Sequence, residues 1–292
     1  MTASSTVNQP AYENPLMPNA KLRQMYSAML RLRMFAGRLG QEQKRSSAGF
    51  VSGLEACLVG PTIDLGPEDL VCDALQGGAI DFLRGTPAEL ILNPDRRLRS
   101  AGTLADGGAA TRLTVPAGTP ELLWAAVGAA ATLKAQTSRS GVADGAVLVC
   151  YARPDDVPPA VWSKLLAHVF TQRLPILFVV LPQRKPQGSR TGQMSTIALR
   201  SRVPGIPVDQ HDAVAIYRVA QEAIGHARAG AGGALIECVR FVLEGQKPLA
   251  SDAISGLGEY MLHRQVADQR WMETEAKSFA RRIGFEVVHP TR

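Results

Sequence analysis

Two short runs constrain the fold of this chain more than anything else in it: Ala146-Val147-Leu148-Val149-Cys150-Tyr151 and Ile176-Leu177-Phe178-Val179-Val180-Leu181. Both are apolar almost throughout and rich in β-branched residues, and neither shows the alternation of a strand with one wet face. Strands of this kind are covered on both sides, as in the parallel sheet of an α/β protein. Between them, residues 160–172 place Trp162, Leu165, Leu166, Val169 and Phe170 at three- and four-residue spacing, which predicts a helix with one apolar face laid on the sheet. Strand, helix and strand make a right-handed crossover unit. Open α/β sheets bind ligands beyond the carboxyl ends of their strands, so a site is expected at 151–156 and 181–184.

The rest of the chain supplies helices to cover such a sheet. Leu22, Met25, Met29, Leu32, Phe35 and Leu39 predict a helix over 20–39, and Gly66-Pro67-Glu68-Asp69 marks a turn before a short apolar run. Residues 93–118, poor in bulky apolar side chains, read as a long surface loop. Thr119-Pro120-Glu121 opens a helix whose body, 122–136, is rich in alanine and suits burial or packing against a partner. Residues 182–192 read as a solvent-facing loop. Pro207-Val208-Asp209, a helix over 212–228 and a strand over 234–241 add a further βαβ step, and a more charged helical region follows over 258–283. The expectation is a flexible arm over 1–19 and one α/β domain over 20–292, in the cytoplasm. With 46% hydrophobic and 20% charged residues a sizeable core is available, and no apolar stretch reaches the roughly 20 residues that cross a bilayer.

Several function classes find no support. The net charge of +6 raises nucleic-acid binding, but the basic residues group only as Arg96, Arg97, Arg99 and as Arg184, Lys185, Arg190, and 5% of residues are aromatic, so a solvated basic surface is expected. Cys57, Cys72, Cys150 and Cys238 form no CxxC pair and read as reduced core residues. His168, His211, His226, His263 and His289 show no metal-ligand spacing.

Leu30-Arg31-Leu32-Arg33, Gly53-Leu54-Glu55-Ala56, Gly118-Thr119-Pro120 with Ala126-Val127-Gly128-Ala129-Ala130, Arg173-Leu174-Pro175, Ile206-Pro207-Val208-Asp209 and Leu235-Ile236-Glu237 follow one another in an order that resembles the alpha subunit of the thiamine-diphosphate-dependent 2-oxo acid dehydrogenases, the family of the pyruvate, branched-chain and acetoin enzymes. The resemblance spans about Lys21 to Ile283. It implies the thiamine-diphosphate-binding fold, a mainly parallel sheet with helices on both faces. It also implies thiamine diphosphate with Mg2+ as cofactor, and a beta subunit that completes the site and supplies the glutamate activating the thiazolium ring.

The same resemblance exposes departures that mark a degenerate member. The family's Gly-Asp-Gly loop, whose Asp binds the metal, falls on Arg153-Pro154-Asp155, and its Asn ligand at the next strand tip falls on Leu181-Pro182-Gln183. Proline offers no side-chain oxygen to a hard cation. A one-residue slip would bring in Asp155 and Gln183 as metal ligands, with Arg153 and Arg184 beside them for the diphosphate. A Tyr-Arg pair and histidines of the family fall on Leu75-Gln76-Gly77-Gly78, and the Gly-His-Ser histidine is Gln246, which cannot titrate near neutrality. No catalytic residue is assigned. Three readings stay open: a non-catalytic relative that associates with a beta subunit or with itself, an active enzyme decarboxylating a 2-oxo acid through shifted ligands, and a small-anion binding module built on Arg153, Arg184, Lys185 and Arg190. Asp155 and Asp156 equally fit a capped turn ahead of the helix that Pro158-Pro159 opens.

Overall fold

The computed structural model of the protein describes residues 17–43, 53–73, 78–92, 112–113, 119–141, 144–183, 193–240 and 252–283. The expected parallel sheet is present. Six strands, β1 (Leu70–Asp73), β2 (Arg112–Leu113), β3 (Leu148–Ala152), β4 (Ile176–Val180), β5 (Gly205–Asp209) and β6 (Ala234–Val239), run parallel in the order β2-β1-β3-β4-β6-β5.

The unbroken apolar runs have the predicted cause, because helices cover both faces. Val147, Val149, Tyr151, Leu177 and Val179 point into one core with α1 (Asn19–Gln43), α2 (Glu55–Thr62), α3 (Ala79–Leu83), α4 (Ala88–Leu92), α8 (Ala213–Arg228), α9 (Ala253–His263) and α10 (Gln269–Ile283). Their neighbours Leu148, Cys150, Ile176, Phe178 and Val180 point into the other, with α5 (Thr119–Ser140), α6 (Pro159–Gln172) and α7 (Gln193–Arg200). Successive side chains on a strand face opposite ways, so each run must be apolar at odd and even positions alike.

On α6, Trp162, Leu165, Leu166 and Val169 are buried as the spacing predicts, but Phe170 is 43% exposed and corrects that reading: it stands at the edge of the apolar stripe. The loop expected over 93–118 contains β2, the edge strand, and the remainder of it lies outside the described residues. Of the expected arm, residues 1–16 also lie outside them, while Met17 is buried and Asn19 opens α1. The helical region expected over 258–283 is two helices, α9 and α10, parted at 264–268 where Gln265 takes a positive φ of 56°. All four cysteines are buried and free. Among the described residues, no helix is long and apolar enough to cross a membrane.

One buried carboxylate locks the amino end of the sheet. Asp69, 1% exposed, accepts from the Val147 amide at 2.9 Å, the Gly66 amide at 2.7 Å and the Arg228 guanidinium at 2.7 Å, joining the turn before β1 to the start of β3 and the end of α8. Removing one partner of a buried, hydrogen-bonded ion pair typically costs about 3–5 kcal/mol. Asp69→Ala is expected to lower unfolding stability by that order in urea denaturation, and an unchanged midpoint would refute the role.

Candidate functional site

β1 leads out to β2 on one side, whereas β3 leads through α6 to β4 on the other. Connections that part in this way leave a crevice at the carboxyl ends of the strands, where α/β proteins hold their ligands. The lips of that crevice are Asp73 at the end of β1, the segment 153–157 after β3, and 181–183 after β4.

The segment after β3 is a 3-10 turn, Pro154–Asp156, that spends its polar groups on itself and its neighbours. The Asp156 carboxylate accepts from the Arg153 amide at 2.7 Å, and the Asp156 amide donates back to the Arg153 carbonyl at 3.2 Å. Trp162 of α6 donates its indole N–H to the Pro154 carbonyl at 3.3 Å, and Val157 is buried. Pro154 suits the first position of the turn because its φ is already set and its missing N–H is not needed there.

On the β4 side of the crevice the Leu181 amide donates to the Ala152 carbonyl at 2.9 Å, and the Arg153 guanidinium donates to the Pro182 carbonyl. Arg153 is only 5% exposed. A buried guanidinium therefore ties the tips of β3 and β4 together. Of the other residues expected to hold a cofactor or metal, Asp155 is exposed on the turn and Gln183 is exposed at the opposite tip, while Arg184 lies outside the described residues, as does Gln246, the position of the family histidine. The structure thus brings Arg153 to Pro182, not to an exposed anion site. The capped-turn reading describes Asp156, whose carboxylate is engaged by a backbone amide.

At positions 154 and 182 the fit to a magnesium diphosphate is poor. Pro154 and Pro182 carry no side-chain oxygen for a hard cation, and the Pro182 carbonyl already accepts from Arg153. Among the described residues, no group of three or more His, Cys, Asp or Glu is placed to hold a metal.

A second polar cluster, which the sequence reading left unassembled, lies at the carboxyl ends of β5 and β6. Arg33 of α1 donates to Glu55 of α2 at 2.8 Å and grips Asp252 with two nitrogens, one at 2.8 Å, while Glu55, fully buried, also accepts from the Gly53 amide at 2.9 Å. Asp252 in turn caps α9 by accepting from the Ser255 amide at 3.1 Å. Partial burial alone would raise the Asp252 carboxyl, but hydrogen bonds and charge from Arg33, with the bonds from Ser255, outweigh it and bring it down to about 2.

Beside this cluster, the His211 amide donates to the Asp209 carboxylate at 2.9 Å, and Gln210 bonds the His211 ring at 2.9 Å. Burial pulls the imidazole below its usual value, opposed by Asp209 and reinforced by Arg240. Farther along β6, buried Glu237 accepts from the Ser195 amide at 2.7 Å and hydroxyl at 2.8 Å, anchoring the first turn of α7. The signal for these contacts was in the sequence: Arg33, Glu55, Asp209 and Glu237 all sit in the segments that carry the family resemblance.

Residues 184–247, which include α7, β5, α8 and β6, match the family model described as Dehydrogenase E1 component. A search of curated proteins finds no match to the chain.

Two measurements check the geometry. Arg153→Met leaves the Pro182 carbonyl without its donor and is expected to cost about 1–3 kcal/mol of stability; a variant as stable as the parent would show that the tips do not need the guanidinium. A carboxyl whose folded pKa is depressed lends stability that is complete above its unfolded value, about 4, and is lost as pH falls through its folded value. For Asp252 that window runs down to about 2. Acid titration of stability is therefore expected to be shallower in Asp252→Asn over that window, and parallel curves would remove Asp252 from the account.

Proposed function

We propose that this chain is a non-catalytic relative of the alpha subunit of thiamine-diphosphate-dependent 2-oxo acid dehydrogenases, which keeps the scaffold and its capacity to associate with a beta-type chain or with itself. The match of 184–247 to the dehydrogenase E1 component supports the kinship. The observation that carries the loss of chemistry is that Pro154 and Pro182 stand at the two positions matched to the family's metal ligands, with the Pro182 carbonyl taken by the Arg153 guanidinium. Fold alone does not establish chemistry, and Pro154 and Pro182 offer no side-chain oxygen at the positions matched to the family's ligands.

The association rests on the outer face of α5, where Trp124 is 43% exposed beside small residues. Light scattering that finds only monomer, with no co-purifying chain, would remove that part of the proposal.

Calorimetric titration of thiamine diphosphate, with and without Mg2+, tests the central claim. No magnesium-dependent binding is expected of the parent chain. Binding that requires Mg2+ and disappears in Asp155→Ala or Gln183→Ala would instead establish an active enzyme with shifted ligands. The combined variant Arg153→Gly, Pro154→Asp and Pro182→Asn removes the tie and restores the oxygens. It is expected to stay folded and to gain magnesium-dependent affinity without turnover, since loop tips tolerate change better than the strands beneath them.

A further inference from the structure

At the opposite end of the sheet, the three entries into β4, β5 and β6 surround a cavity of about 440 Å³. We propose that this cavity binds a small organic phosphate, its dianionic head between Arg173 and Arg202 and its apolar body against Phe170 and Pro204. The site lies at the amino ends of the strands and is independent of the reading given for the carboxyl ends.

The first argument is backbone geometry. Among the described non-glycine residues with positive φ are Arg173 at 47°, Arg202 at 61° and Gln265 at 56°, and both arginines line this one cavity. A side chain with a Cβ resists the left-handed region, which glycine enters freely and asparagine often. Both arginines hold it just past a helix, Arg173 after α6 and Arg202 after α7, so two left-handed helix caps carry both side chains to the one cavity.

The second argument is charge. Among the described residues lining the cavity there is no carboxylate to answer the two guanidiniums. Arg202 lies over the ring of Phe170 at 5.7 Å, a contact that orients the planar group and leaves its edge N–H donors for a ligand. Guanidinium forks match the oxygens of a phosphate, and two of them suit a dianion.

The third argument is shape. Gly232 and Gly233 line the space without side chains; Gly232 holds a φ of 109°, and Gly233 packs so closely on β4 that a Cβ would come within 2.6 Å of the Ile176 carbonyl. The space exceeds what an inorganic phosphate fills, and the exposed ring of Phe170 gives it an apolar wall. This wall is the same residue that stands outside the apolar stripe of α6, so its exposure has a use.

Calorimetric titration of the full chain with phenyl phosphate, and with inorganic phosphate as the second probe, tests the proposal. Saturable binding is expected for phenyl phosphate, weaker binding for inorganic phosphate, and a loss of at least about tenfold in Arg173→Gly and in Arg202→Gly, the scale of one charge-assisted hydrogen bond. Both variants are expected to melt at a higher temperature than the parent, because glycine relieves the strained φ. Phe170→Ala should bring phenyl phosphate down to the affinity of inorganic phosphate. No saturable binding, or affinity indifferent to the arginines, would overturn the site; lower melting temperatures would assign the arginines to holding the fold and overturn it as well. Equal affinity of the parent for the two probes would overturn the organic body.

Discussion

The Asp69 carboxylate is the constraint on which the sheet depends. Its oxygens are spoken for by the turn before β1, by the first residues of the β3 segment and by the end of α8, so it fixes where β1 starts against β3. In a parallel pair that start sets every later pairing, Leu70 with Leu148 through Asp73 with Tyr151. A carboxylate this deep is tolerable only with all its partners in place. Arg84 completes the same corner by donating to the Leu65 and Gly66 carbonyls at 3.0 and 2.9 Å. The crevice at the far end of the strands is positioned by charges at the near end.

The segments that carry the family resemblance prove to be scaffold. Arg33 and Glu55 come from two of them and meet in an ion pair that a third element, α9, joins through Asp252. Glu237 comes from another and anchors α7. These contacts hold helices to one another and to the sheet. The departures at the strand tips fall instead at Arg153, Pro154 and Pro182, beside the crevice, so different residues keep the scaffold and depart from the family.

What the sequence made legible follows from pattern strength. The runs that became β3 and β4 were readable as unbroken apolar stretches, and the buried faces of α1, α6 and α8 because each repeats the helical period over enough residues. The helix α2 was not, since all eight of its residues are buried and it holds Gly60 and Pro61; a helix apolar on every side has no stripe to read. Gly60 is there for contact, as a Cβ would meet Ile216 at 2.9 Å on α8. The two-residue β2 and the eight-residue α7 are too short to show a period. At the site, the identities at the strand tips were legible and their use was not. Arg153 reads in sequence as a free cation for an anionic ligand, and only its burial shows it engaged within the fold.

That engagement satisfies groups that would otherwise be costly. A carbonyl or amide left short of partners costs about 1–3 kcal/mol when buried. Here the Arg153 amide finds Asp156, the Pro154 carbonyl finds Trp162, and the Pro182 carbonyl finds the Arg153 guanidinium. The two prolines remove side-chain oxygens, and Pro154 also presets the turn that delivers Asp156 to its amide. The tips of β3 and β4 are thus held by the chain's own groups, with the turn, the first turn of α6 and the Arg153 side chain each contributing one bond.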